Sequence, residues 1–354
     1  MVVMHAAETI SPINLVFWSR ISMKRLTAFV FIFALLMLVS VAAAQEVAPV
    51  PDTAFGPPID PEKGYFVEEI NDGVYWITEG TYQVMFAVTG EGVIVVDAPP
   101  TIGDLVLAAI AEVTDEPITH VIYSHSHGDH IGAAFLYPED ATIIAHEDTA
   151  EQLARFGDEN RPMPDMTFDD QMTLEVGDKT LELIYPGPNH EPGNIIVYAP
   201  DQGVVMFVDV IFPGWSPFQQ LALAEDVPGY IAAHDAVLDL DWDTFIGGHL
   251  TRLGTREDVE LQRQYILDIQ AAAADALATT DFFAIAGETG FENQWLLFNT
   301  YLGAVAQNCA AAVVPNYVDV LAAADLNTES HCWAMMESLR IDFNNLFVTI
   351  TSEE

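Results

Sequence analysis

One loop constrains the fold and chemistry of this chain more than any other segment: Ser124-His125-Ser126-His127-Gly128-Asp129-His130. It follows the apolar stretch 118–123, which predicts a strand that runs into the loop. His125 and His127 alternate on extended backbone, so both imidazoles point to the same side. Asp129 and His130 then turn the chain into the next helix. The spacing predicts that this loop offers two ligands to each of two metal ions, and it disfavours a merely solvated histidine-rich loop.

Three more polar residues stand where predicted strands end. His190 lies in a turn rich in proline and glycine between two predicted strands. Asp209 directly follows the apolar strand 204–208. His249 follows another strand end, where Gly247 and Gly248 allow a close approach of backbone. Together with the loop they supply the donors that two zinc-like ions need, five histidines and two aspartates.

At these residues the sequence resembles the metallo-β-lactamase superfamily, over about 63–252. The resemblance implies a mixed α/β (α+β) fold, a four-layer αββα sandwich with the site at one edge of its sheets. It implies a first metal on one ligand set and a second metal on another: His125, His127 and His190 for the first, and Asp129, His130 and His249 for the second. Asp209 would bridge the two metals. Asp97, which ends the apolar run Val95-Val96, matches the aspartate that in the family supports a metal ligand from behind.

Two bound divalent ions would supply the chemistry that a hydrolytic reaction needs. A bound ion lowers the pKa of its water from near 16 towards about 7, so a bridging hydroxide exists at neutral pH and can attack a polarised carbonyl. Asp129 would be the catalytic residue that orients this hydroxide and passes its proton to the leaving group. The most favoured ion is Zn²⁺, although oxygen ligation by Asp209 lets iron or manganese compete. A structural zinc site would be closed and usually cysteine-rich, unlike this one.

The residue at the bridging position and the net charge of the chain limit the class of substrate. Asp209 stands where zinc β-lactamases of the family often carry cysteine or serine, and it looks like the glyoxalase-II, lactonase and nuclease branches. The chain has 53 acidic and 11 basic residues, a formal charge of −42, which argues against nucleic acid as a partner and against an anionic thioester. We therefore expect an exported hydrolase of a small-molecule ester, lactone or related acyl substrate. A β-lactamase and a non-catalytic periplasmic metal-binding protein remain as alternatives.

A candidate substrate pocket follows Asp209 in the chain. Phe212, Trp215 and Phe218 would form an apolar wall there. Arg252 follows His249 by three positions and would either pair with a substrate carboxylate or form a salt bridge within this acidic protein. Ordinary core packing is the alternative for the three aromatic residues.

The first residues of the sequence predict a targeting signal. Lys24 and Arg25 precede an apolar run, 26–41, that ends in Ala42-Ala43-Ala44. This pattern predicts a signal peptide over 1–44, with Met1 or Met23 as the start, and a periplasmic or secreted protein. After cleavage we expect no stable membrane association. An uncleaved membrane anchor is the alternative.

Three segments complete the expected organisation. Residues 45–62 contain five prolines and predict an extended arm, 63–252 the catalytic domain, and 253–354 a helical C-terminal extension. The extension covers the site or mediates formation of a homodimer. Cys309 and Cys332 lie within it, and in an oxidising compartment they either pair or stay as two buried thiols.

Overall fold

The computed structural model describes residues 47–250 and 252–342, which all belong to one unit of the chain. The predicted signal peptide, 1–44, lies outside the described residues. The first of two sheets has its seven strands in chain order, antiparallel from β1 to β4 and parallel from β4 to β7. Its strands are β1 Phe66–Asn71, β2 Val74–Thr78, β3 Gln83–Val88, β4 Val93–Val96, β5 Ile118–Ile122, β6 Thr142–His146 and β7 Met166–Phe168.

The second sheet has five strands in the order β12-β11-β10-β9-β8. Its pairs are antiparallel, except that β12 joins β11 in parallel. The strands are β8 Gln171–Val176, β9 Lys179–Ile184, β10 Ile196–Ala199, β11 Val204–Phe207 and β12 Thr244–Ile246. The parallel pairs β4–β5 and β11–β12 matter for function, because the carboxyl ends of parallel neighbours lie at the same edge of a sheet.

The helices divide into a group that follows the strands and a group that ends the chain. They are α1 Gly103–Val113, α2 Gly128–Ile131, α3 Glu147–Phe156, α4 Val227–Leu238, α5 Arg256–Thr279, α6 Phe282–Thr289, α7 Gln294–Tyr317 and α8 Ala324–Ile341. Short 3-10 turns cover Asp52–Ala54, Ala134–Leu136 and Pro200–Gln202. A further turn, Gln219–Leu223, is left-handed, with φ near +55° to +58° from Gln220 to Leu223.

The alternation of side chains along the strands produces the layers. In β4, Val93 and Val95 pack with α1 to α3, whereas Ile94 and Val96 pack against the second sheet. Successive side chains point to opposite faces of a strand, so a strand that is apolar throughout must be covered on both sides.

The second sheet repeats this arrangement. In β11, Val204 and Met206 pack against the first sheet, whereas Val205 and Phe207 pack with α4, α5, α7 and α8. Helices therefore cover the outer face of each sheet, which confirms the predicted αββα sandwich with a helical C-terminal region. The extension shares one apolar core with the second sheet.

The beginning of the extension follows its local sequence signal. The Thr255 hydroxyl accepts from the Asp258 backbone N–H, and the Asp258 carboxylate accepts from the Thr255 N–H, so a capping box forms at the start of α5. Further along, a disulfide joins Cys309 of α7 to Cys332 of α8, with 6.0 Å between their Cα atoms. This settles the pairing that the sequence left open.

Helix α7 is, among the described residues, the one long and apolar enough to cross a membrane by length and composition. One such helix is weak evidence, because the core helices of soluble proteins pass the same test. Val305, Cys309 and Val313 of α7 are buried in the core against the second sheet.

Candidate metal centre

The chain brings the predicted ligands to one edge of the sandwich because they follow strand ends. The loop 124–130 leaves β5, Asp209 follows β11 after one residue, and His249 follows β12 after two glycines. His190 lies in the turn between β9 and β10. All seven predicted ligands come together, although they span more than a hundred positions of the sequence.

The seven side chains form two groups that could each hold a metal ion. Within each group one donor atom of every residue lies within 4.8 Å of the others. The first group is His125, His127, His190 and Asp209, and the second is Asp129, His130 and His249. These are the two ligand sets that the sequence implied, with Asp209 counted in the first.

Asp209 reaches both groups. Its Oδ2 lies 3.4 Å from His125 Nε2 and 3.3 Å from His190 Nε2, which belong to the first group. The same oxygen lies 3.1 Å from His130 Nε2, and Oδ1 lies 2.7 Å from His249 Nε2, in the second group. Burial alone would raise the pKa of Asp209, but the positive charges of neighbouring histidines outweigh it and hold this pKa well below its usual range. The residue thus offers an ionised carboxylate between the two groups.

The donor set fits a pair of divalent ions. His125 Nε2 is buried and has no hydrogen-bond partner among the described residues. Burial, and then the charge of His130, lower the pKa of His125 well below its usual value, so this nitrogen carries a free electron pair. Elsewhere in the first group, His127 Nδ1 and His190 Nε2 face each other at 3.0 Å. Imidazole and carboxylate donors without a thiolate suit zinc and admit iron or manganese.

Asp97 supports His125 through a serine. The Ser124 backbone N–H and hydroxyl donate to the two Asp97 oxygens at 2.8 and 2.7 Å, and the same hydroxyl lies 2.9 Å from His125 Nδ1. Asp97 also lies 3.8 Å from His130 Nδ1. Complete burial raises the pKa of Asp97 to about 6, against the opposing effect of His130. The structure therefore places Asp97 behind two ligands, one from each group.

Glu191 is a functional candidate that the sequence reasoning missed. It is only 3% exposed, and its oxygens accept from the Ser126 backbone N–H at 2.5 Å and lie 3.1 Å from His127 Nε2. Burial would raise the pKa of Glu191, but the hydrogen bond and charge of His127 and the Ser126 N–H lower it. A carboxylate directly after a ligand histidine, in a turn, was the signal that could have found it.

Tyr82 is a second missed residue. It precedes β3, and its hydroxyl donates to Asp129 Oδ2 at 3.2 Å. Its ring contacts the imidazoles of His130 and His249. Burial and then the charge of Asp129 raise the pKa of Tyr82, so the phenol keeps its proton and remains a donor.

A cavity of about 650 Å³ opens beside the two groups. We call it the aromatic cavity, since Phe212, Trp215 and Phe218 line it, as the sequence predicted for a substrate wall. Arg252, which the sequence left open between a substrate carboxylate and a salt bridge, does not line this cavity. Its guanidinium binds both Asp258 carboxylate oxygens, at 2.5 and 2.8 Å, because the start of α5 places that carboxylate beside it. Of the two roles that the sequence left open for Arg252, the salt bridge is the one that forms.

The helical extension closes the far side of the aromatic cavity. Ala323, Leu326 and Asn327, at the beginning of α8, line it. The Asn327 amide donates to Ser216 Oγ at 3.1 Å and to the Pro217 carbonyl at 3.0 Å. Of the two roles left open for the extension, the structure shows that it covers the site, and dimerisation stays a prediction.

Comparisons with known proteins agree with this geometry. The family model described as "Metallo-beta-lactamase superfamily" matches residues 77–249. Among curated proteins, the chain is 30% identical over 201 residues to the 2,4-dinitroanisole O-demethylase subunit alpha of Nocardioides sp. (strain JS1661), covering 55% of this chain and 61% of that protein. It is 26% identical over 156 residues to the metallo-beta-lactamase type 2 of Elizabethkingia meningoseptica, covering 40% of this chain and 59% of that protein. The chain thus spans about three fifths of these relatives.

A solved structure shows the same fold. The metallo-beta-lactamase from Pontibacter korlensis superposes with a TM-score of 0.50 at 20% identity, covering 56% of this chain and 99% of that one. The overlap leaves much of this chain unmatched. At this identity the likeness speaks for the fold alone.

Proposed function

Because this chain belongs to the metallo-beta-lactamase superfamily, we propose that it is a metal-dependent hydrolase that cleaves an ester, a lactone or a related acyl compound at a pair of divalent ions. The observation that carries the proposal is the position of Asp209, which lies between four histidines drawn from both ligand groups. A carboxylate in that place can serve two ions at once. When bound, such ions supply an acidified water as nucleophile and polarise the carbonyl that it attacks.

The protein side chains perform the remaining tasks. The first ion would be held by His125, His127 and His190, and the second by Asp129, His130 and His249. The Asp129 side chain is half exposed toward the aromatic cavity, where its free oxygen can hold and pass a proton between nucleophile and leaving group. Tyr82 fixes Asp129 by its hydrogen bond. Zn²⁺ is the ion that we propose for both positions.

A second candidate reaction comes from a relative. The protein that is 30% identical is named for O-demethylation of 2,4-dinitroanisole, an aryl methyl ether. Ether cleavage by an activated water would use the same two ligand groups. Hydrolysis of β-lactams is the less favoured alternative, because these substrates carry a carboxylate and none of the lysines and arginines that the structure describes lines the aromatic cavity.

We also propose export to the periplasm or outside the cell. The sequence 1–44 supports it through its signal-peptide pattern, and the Cys309–Cys332 disulfide supports it because disulfides persist in oxidising compartments. The proposed partner is a small-molecule substrate. The acidic surface speaks against nucleic acid.

A metal analysis combined with a substrate panel tests the proposal. The panel contains a chromogenic ester, a lactone, a cephalosporin and 2,4-dinitroanisole. We expect two equivalents of metal and metal-dependent turnover of the ester or the lactone, with turnover abolished in His127→Ala and retained in His120→Ala, whose imidazole lies on β5 outside the cavity. Unchanged turnover in His127→Ala would overturn the site. Two equivalents of metal without turnover of any compound would favour a non-catalytic metal-binding protein.

A further inference from the structure

Apart from the metal-binding side, the aromatic cavity is lined mainly by apolar side chains, and the polar pair Ser216 and Asn327 is engaged in its own hydrogen bond. The cavity wall comes from two distant parts of the chain, the segment after Asp209 and the beginning of α8. Phe218, Leu223 and Leu326 remain largely exposed at its mouth. A volume of about 650 Å³ is in the range of cavities that bind a small organic molecule.

Every described lysine and arginine is engaged elsewhere, and none lines the aromatic cavity. Lys63 and Lys179 pair with carboxylates, as do Arg161, Arg252, Arg263 and Arg340. Arg155 donates to Gln152, and Arg256 donates to the Leu238 and Leu240 carbonyls. The described part of the chain therefore offers no cation to a carboxylate or phosphate held in this cavity.

Apart from the ligand histidines, the charged side chains of the lining within the described residues are acidic, and they are the metal ligands Asp129 and Asp209. Away from the metals, an anionic group would lose its hydration without gaining a partner, which is costly. The formal charge of −42 adds a repulsive field for anions. A neutral apolar group meets none of these penalties and gains the burial of its surface.

The far wall is held in place before any ligand binds. Besides the Asn327 hydrogen bonds, His331 on α8 donates from Nε2 to the Phe218 carbonyl at 2.9 Å. Ser330 Oγ accepts from the Gln220 backbone N–H at 2.8 Å. These contacts fix the left-handed turn that presents Leu223 to the cavity. A preformed wall selects by shape, because little binding energy is spent on ordering it.

We propose that the aromatic cavity binds a neutral, apolar acyl or aryl group of the substrate and rejects anionic ones, with Leu326 of the helical extension as a specificity-determining residue. The inference rests on the proposed hydrolase function for its kinetic test. The proposal gives α8, which lies beyond the matched residues 77–249, a part in substrate recognition.

The kinetic test is a series of 4-nitrophenyl esters from acetate to octanoate, with the mono-4-nitrophenyl ester of adipic acid as the anionic counterpart of the hexanoate. We expect kcat/KM to rise about fourfold for each methylene that enters the cavity. The adipate should be at least tenfold poorer than the hexanoate. Metal-dependent hydrolysis of the acetate tests the function separately, so a flat chain-length response with active acetate hydrolysis would overturn this inference alone.

Two matched variants locate the selectivity. Leu326→Lys adds a cation to the cavity at a side chain that is 50% exposed. The control, Leu296→Lys on α7, adds a cation outside the cavity lining at a side chain that is 49% exposed. We expect Leu326→Lys to shift the hexanoate-to-adipate ratio by at least tenfold toward the anion and Leu296→Lys to leave it unchanged. Equal ratios in the two variants would overturn the assignment of Leu326.

Binding gives a readout that needs no turnover. Calorimetry of the metal-free protein with hexanoic anilide and with adipic acid monoanilide should show at least tenfold tighter binding of the neutral compound. Leu326→Lys should remove this preference. Equal binding of the two anilides by the unmodified protein would overturn the proposal even if no ester is hydrolysed.

Discussion

The Nε2 atom of His127 and the Oε2 atom of Glu191 lie 3.1 Å apart, and both side chains are held by the loop that carries the ligands. Because Glu191 is ionised, it accepts the Nε2–H proton of His127 and leaves Nδ1 free to face His190. The buried carboxylate thus selects which nitrogen of His127 is available to a metal.

Glu191→Gln tests this relationship. The amide can still accept from Ser126, but its NH₂ group then faces His127 Nε2 and favours the tautomer with the proton on Nδ1. We expect a loss of about 10- to 100-fold in metal affinity, which is the usual effect of removing a partner of a ligand histidine. Competition with a chromogenic chelator measures it. Glu151→Gln, at an exposed position of α3, is the control, and equal affinities in the two variants would contradict the role of Glu191.

The pH dependence of stability follows from His331. Its Nε2–H donates to the Phe218 carbonyl and its Nδ1 lies 3.0 Å from the Tyr265 hydroxyl, so both nitrogens are satisfied in the neutral ring. Burial lowers the pKa of His331 to about 4, whereas an unfolded chain has about 6.5. The unfolded state therefore binds the proton first, and the contribution of His331 is complete above pH 6.5 and is lost as the pH falls towards 4.

At pH 5 this linkage costs about 2 kcal/mol relative to pH 7. His331→Gln removes the titrating group and keeps a donor for the Phe218 carbonyl. Urea unfolding of the metal-free protein at both pH values should show a decrease that is about 2 kcal/mol smaller in the variant. Parallel decreases would mean that His331 does not titrate in this way.

The sequence predicted those parts of the fold that depend on local pattern. The predicted strands 118–123 and 204–208 form β5, Ile118–Ile122, and β11, Val204–Phe207, and the predicted helical extension contains α5 to α8 within its described residues. Strands β1 and β7 were not predicted, because their short or partly exposed segments carry little periodicity.

The candidate site also contains residues that the local sequence pattern predicted and residues that it did not. The ligands were predictable because histidine and aspartate at strand ends carry a distinctive spacing. Glu191 and Tyr82 were missed because their importance lies in contacts across the fold. Nothing local indicated that non-glycine residues from Gln220 to Leu223 would adopt left-handed backbone, since only packing and hydrogen bonds from α8 can hold them there. Of the two roles left open for Arg252, the salt bridge forms because the start of α5 places the Asp258 carboxylate beside it.

The disulfide should stabilise the helical extension. Cys309 and Cys332 are separated by 23 positions. The chain-entropy model gives about 3 kcal/mol for a loop of this size. Guanidinium unfolding of the Cys309→Ala/Cys332→Ala variant should show a loss of about this amount, and the unmodified protein in reductant should approach the same value. Equal stability of the oxidised protein and the variant would show that the link contributes nothing.

Gln262 connects the helical extension to the metal centre. Its Oε1 accepts from the Phe212 backbone N–H at 2.8 Å, and its Nε2 donates to the Val210 carbonyl at 2.6 Å. The second amide hydrogen lies toward His234 Nε2, which can accept it because His234 Nδ1 faces the Tyr230 carbonyl. Since Val210 follows Asp209, this buried network fixes the segment that carries the bridging carboxylate.

Gln262→Leu removes the network and leaves the Phe212 N–H and His234 Nε2 buried without partners. Each of the two unsatisfied groups costs about 1–3 kcal/mol, so we expect a destabilisation of about 2–6 kcal/mol and a weaker affinity for metal. Gln264→Leu, on the same helix but exposed, should change stability by less than about 0.5 kcal/mol. Unfolding in guanidinium and chelator competition measure the two effects. If Gln262→Leu lost stability but bound metal as tightly as Gln264→Leu, the extension would support the core without positioning Asp209.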